Sequence, residues 1–94
     1  MSQTAAVRQI GQRLNDGKRS GRTTRLARLM GTSVATVQSW GAAGESKARK
    51  RRMSPTARRL LFLLLALHER GEDLEALRRQ ARQLEQIYLQ VDDD

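Results

Sequence analysis

Cysteine is absent from these 94 residues, which removes disulfides, thiolate metal sites and cysteine nucleophiles at once. Histidine occurs once, as His68, and its place near the end of an apolar stretch suits a helix-terminal residue facing the dipole. No glycine loop is built to cradle a phosphate, and no acidic pair lies in an apolar stretch. The expectation is therefore a protein that is not an enzyme, with no metal site and no cofactor. Aromatic residues are scarce too. Trp40, Phe62 and Tyr88 are all there are, so a core must be made of leucine, valine, isoleucine and alanine, and it is thin enough to invite a partner subunit.

Long apolar runs are also missing. The longest, residues 60–67, is eight residues and far too short for a bilayer. Residues 1–30 carry seven Lys or Arg and nothing like the apolar core of a signal peptide, so the reading is a soluble, cytoplasmic protein without a membrane partner. Acid is rare in the first half. Residues 1–53 hold 12 Lys or Arg against Asp16 and Glu45, a net of +10, whereas residues 54–94 hold 6 against 8, a net of −2. A polyanion-facing surface joined to an assembly surface has this distribution, and composition favours nucleic acid over a solvated basic face, a membrane surface or an acidic protein.

What is present reads as helices. Ser2 or Thr4 can cap a first helix striped by Val7, Ile10 and Leu14, which Asn15-Asp16-Gly17 ends. Thr23 or Thr24 can cap a second through Met30, burying Leu26, Ala27, Leu29 and Met30, with Gly31 as its stop. Ser33 can cap a third, about ten residues long and reaching Ala42, with Val37 and Trp40 inward. The segment between Gly41 and Met53 reads as an exposed loop. Ser54-Pro55 restarts a helix that runs to about Arg70 and stops at Gly71. Residues 60–67 are apolar on every side, so this helix is expected to be enclosed all round. A fifth helix, from about Asp73 to Val91, repeats Leu74, Leu77, Ala81, Leu84, Tyr88 and Val91 at steps of three and four. That is an a/d seam, which either pairs two subunits or packs on its own domain. The tail Asp92–Asp94 is expected to fray.

Residues 23–42, TTRLARLMGTSVATVQSWGA, carry the functional signal. A helix-turn-helix needs a small residue where its helices cross, a glycine at the turn and apolar residues at fixed offsets. Ala27, Gly31, and Leu26, Met30, Val37 and Trp40 fill those positions. With IGQRL before it and SPTARRLLFLLL after it, this unit resembles the lambda-repressor-like (XRE or Cro type) helix-turn-helix regulators, antitoxins of that class included. The family usually has glutamine at Thr23, an acidic residue at Gly41 and a shorter path to the Pro-led helix. The resemblance implies an all-α, compact five-helix domain over residues 1–94. Its DNA-binding part and basic loop would occupy 4–53, and core-closing and dimerisation helices 54–91.

With Val37 and Trp40 inward, a turn of 100° per residue sends Val34, Ala35, Gln38, Ser39 and Ala42 outward as base readers. Gln38 can pair bidentately with adenine. Phosphate contacts are expected from Arg22, Thr23, Arg25, Ser33 and Thr36 at the helix ends. Lys47, Arg49, Lys50, Arg51 and Arg52 would add to them if the loop tracks the backbone rather than being a solvated connector. The functional expectation is a sequence-specific regulator of double-stranded DNA, a repressor by resemblance, binding a pseudo-palindromic operator as a homodimer through Leu74, Leu77, Ala81, Leu84, Tyr88 and Val91. The competing expectation is an antitoxin-type module whose back half neutralises a protein partner. An architectural binder would need minor-groove wedge residues, and none stands out.

Overall fold

A computed structural model describes residues 1–41 and 51–89, and these form five α-helices and no strand. Ala42, Lys47, Arg49, Lys50 and Val91, with most of the expected loop and the tail, lie outside the described residues.

Helix α1 spans Gln3–Leu14 because Ser2 caps it, accepting from the Ala5 amide at 3.1 Å, and because Val7, Ile10, Gly11 and Leu14 make a buried stripe at helical spacing. Asn15 ends it and also winds the next turn, its side-chain amide donating to the carbonyls of Lys18 and Ser20. That turn delivers Gly21 in the left-handed region, φ 80°, and α2 starts directly after it as Arg22–Met30. Neither Thr23 nor Thr24 is therefore a cap. Both lie inside the first turn of α2, and Gly21 caps with its backbone alone. Leu26, Ala27 and Leu29 are buried as expected, while Met30 is only half-buried.

Gly31 stops α2 at φ 73°, and the Thr32 amide reaches back to the Ala27 carbonyl at 3.0 Å, a left-handed helix stop. Two residues after Gly31, Ser33 caps α3 by accepting from the Thr36 amide at 3.1 Å. This helix covers only Val34–Ser39. The ten-residue helix read from sequence is cut short at Trp40, whose amide bonds to Val37, and the Gly41 amide then bonds to Gln38. Gly41 turns the chain away at φ 103°. A Cβ there would lie 2.5 Å from Thr4 Oγ1, so the contact with α1 admits glycine alone.

Ser54 caps α4, Pro55–Glu69, with proline in the first turn, and Gly71 follows its end at φ 84° with the Glu72 amide on the Leu67 carbonyl. Asp73 opens α5, Leu74–Leu89, its Oδ1 accepting from the amides of Glu75 and Ala76. Helix α2 is the hub and touches the other four helices, while α4 also meets α1 and α5. The buried residues of all five helices and Met53 form one cluster, with Val7, Leu14, Leu26, Val37 and Leu61 almost completely enclosed.

Three expectations are corrected here. Met53 belongs to this core, so the stretch before α4 is not exposed throughout. Helix α4 is not enclosed all round. Only Leu61 is buried, Leu60, Leu64, Leu65 and Leu67 are half-buried, and Phe62 and Leu63 stand 46% and 52% exposed, because α1, α2 and α5 all lie to one side. Leu74 is 4% exposed and Leu77 packs against the core, so the front of the α5 seam is spent inside the chain and is not on an outer face.

Candidate nucleic-acid interface

The end of α3 and its surroundings are where the sequence and the geometry meet. Val37 and Trp40 point into the core, and the opposite side of α3 exposes Val34, Ala35 and Gln38. The cap leaves this helix firmly anchored at its start, where the Ser33 and Thr36 hydroxyls also sit 2.9 Å apart. Ser39 differs from the other expected readers. It is half-buried, and its hydroxyl donates to the Thr36 carbonyl at 2.6 Å, so it closes the helix end before it can meet a base. Among the described residues the exposed outward face is thus two small apolar side chains and one amide.

Cations surround this face unevenly. Arg51 and Arg52 are exposed beside the C-terminal end of α3, the Arg51 amide donating to the Ser39 carbonyl at 2.7 Å. With Arg58 of α4 they line an open groove floored by Met53 and Phe62. Arg22 is half-buried, with Nη1 3.5 Å from Gln12 Oε1 of α1, and Thr23 is half-buried beside it.

Arg25 is placed differently from expectation. It is half-buried, its Nε is enclosed without a hydrogen-bond partner, and it lies close enough to Glu75 of α5 to act on that carboxylate. The Arg78 hydrogen bond at 2.8 Å holds the Glu75 carboxyl below the usual range against the opposing effect of burial, and the charges of Arg78, Arg28 and Arg25 add to it. Arg28 approaches the same carboxylate at 3.8 Å. One face of α2 is thereby turned to α5.

No family model, curated protein or solved structure matches this chain. Among the described residues no helix is long and apolar enough to cross a membrane.

Residues that sequence reading passed over make the site's frame. Gln3 Nε2 donates to the Arg51 carbonyl at 2.8 Å and, at 3.4 Å, to that of Trp40, while its Oε1 accepts from the Met53 amide at 2.9 Å. Arg8 Nε donates to the Gly41 carbonyl at 3.1 Å. In the sequence both are ordinary polar positions on an amphipathic helix. Only Gly41, unusual after a tryptophan that ends a helix, hinted at a close approach there.

Proposed function

We propose that the chain is a sequence-specific regulator of double-stranded DNA that lays α3 in the major groove and acts as a homodimer. The observation that carries this reading is the division of α3: Val37 is fully buried while Val34, Ala35 and Gln38 face out, on a short helix joined by a three-residue turn to α2 and flanked by Arg51 and Arg52. Small side chains allow the helix backbone close to the groove floor, their methyls suit thymine, and the Gln38 amide matches the N6/N7 edge of adenine. Arg51, Arg52 and Arg22 supply phosphate contacts that fix register without reading sequence. The resemblance to lambda-repressor-like regulators makes repression the expected output.

The homodimer is supported by the apolar surface the chain leaves uncovered. Leu84, Ile87 and Tyr88 on the far half of α5 are 44%, 63% and 79% exposed, and Phe62 and Leu63 on α4 are 46% and 52% exposed. Burying such side chains is worth roughly 1.5–3 kcal/mol each when complete. A two-fold pairing there would set two α3 helices about 34 Å apart on one side of a duplex. Selection of bound sites from random duplexes tests the reading directly. An enriched, inverted-repeat site is expected, and recovery of unenriched sequence at moderate salt would refute sequence-specific binding.

A further inference from the structure

The amide of Gln3 is placed where a surface glutamine has no structural need to be. It sits in the first turn of α1, a position that ordinarily faces water, yet its donor side meets the carbonyls of Trp40 and Arg51 and its acceptor side the amide of Met53. The three partners belong to two separate stretches of backbone, the end of α3 and the approach to α4. The Arg51 peptide is consequently gripped on both sides, its N–H by the Ser39 carbonyl and its C=O by Gln3. Met53 then plunges into the core, which fixes the direction of the stretch. Arg51 and Arg52 thus project from a backbone that is already ordered next to α3.

We infer that Gln3 is a positioning residue for DNA binding: it presets the backbone of Arg51 and Arg52 so that these two cations meet the phosphates flanking the site that α3 reads. This rests on the DNA-binding reading above. Cations carried on a free segment would have to be ordered at the moment of binding, and that entropy would be lost from the affinity. On a preset backbone their contacts come with the docking of α3. Gln3 itself need touch no nucleic acid.

Four proteins test it: the wild type, Gln3→Met, which keeps length and helix propensity but none of the three bonds, Arg51→Ala with Arg52→Ala, and the combination of all three changes. In the free proteins, amide exchange at Met53, whose N–H loses its acceptor, should quicken in Gln3→Met by roughly fivefold to tenfold, the equivalent of one lost hydrogen bond, while the core amides of Val7 and Leu61 keep their protection. Binding to a random duplex is then followed against salt. Removing both arginines should weaken binding and flatten the logarithmic salt slope by up to about 0.9 per lost contact, Gln3→Met should give part of that weakening at one salt concentration, and the combination should bind no more weakly than the arginine pair alone. Additive losses, or a wild-type affinity in Gln3→Met, would overturn the inference and leave the DNA-binding reading intact. A wild type with no salt-dependent duplex binding would overturn both. If Gln3→Met does not fold, Gln3→Glu keeps the acceptor for Met53 and loses only the donors, and the same comparison of binding is made with it.

Discussion

The first three helices and the last two solve the same problem differently. In α1–α3 the apolar stripes close on one another. Val7, Leu14, Leu26 and Val37 are sealed, and what remains outside is polar or small. In α4 and α5 the apolar residues outnumber the neighbours that could cover them. One side of each helix completes the core through Leu61 and Leu74, and the other side leaves Phe62, Leu63, Leu84, Ile87 and Tyr88 in water. The charge follows the same division, with the basic excess on the half whose apolar residues are covered. The contrast is the ground on which two different partners are proposed. The front half shares its core with Leu61 and Leu74 and leaves little apolar surface uncovered, whereas the back half keeps a large apolar surface in water.

The sharpest way to break the contrast is inside the shared core. Leu61→Ala removes a side chain that is 1% exposed, and a loss of about 2–5 kcal/mol in unfolding free energy is expected from denaturant titration. A loss below 1 kcal/mol would mean that α4 is not part of the core at all.

The front half is tested by the outward amide of α3. Gln38→Ala should cost about 1–3 kcal/mol on the preferred duplex and almost nothing on unrelated DNA, read as a pair of affinities at one salt concentration. An equal fall on both would make Gln38 a phosphate contact and turn α3 over in the groove.

The junction of the halves is Glu75, which faces Arg25 and Arg28 of α2 from α5. Because its folded carboxyl is held below the ordinary range, its contribution is full at neutral pH and is lost as the pH falls through that lowered folded value. Glu75→Gln should therefore lower stability at pH 7 by about 1 kcal/mol or less, as befits a partly exposed pair, and the difference from wild type should shrink in acid. Thermal unfolding of both proteins from about pH 3 to about pH 7, a range that spans the titration of an ordinary carboxyl, reads this. A gap that widens in acid would contradict the sign.

The smallest effect on the fold, and the most telling for assembly, belongs to the back half. Aspartate at Leu84 and Tyr88 together should leave the unfolding free energy of the single chain within about 0.5 kcal/mol, since both side chains are already exposed. The same change should convert a sedimenting dimer to a monomer and remove tight binding to a two-fold site. Leu77 is the wrong residue for this experiment, because it packs against the core and its loss would confuse unfolding with dissociation.

How far the sequence could be read differs between these parts for physical reasons. Helix existence was legible because caps and stops are local: Ser2, Ser33, Ser54 and Gly31 each act on backbone within a few residues. The misread start of α2 was a local contest too, which Gly21 won over Thr23 and Thr24 once Asn15 had wound the preceding turn. The length of α3 was not local. Gly41, which follows its end at φ 103°, lies against Thr4 of α1, an approach across 37 positions that no periodicity encodes.

By itself the sequence determined the five helices, the inward stripes of α1 to α3, Val34, Ala35 and Gln38 among the outward positions of α3, and the separation of charge, since all of these follow from the order of side chains along the chain. Only the tertiary structure decided which apolar residues stay uncovered, that Arg25 turns to Glu75, and that Gln3 fastens Arg51 beside α3. Each of these depends on which helix lies next to which, and a one-dimensional pattern specifies the faces that want burial without specifying the neighbour that will bury them.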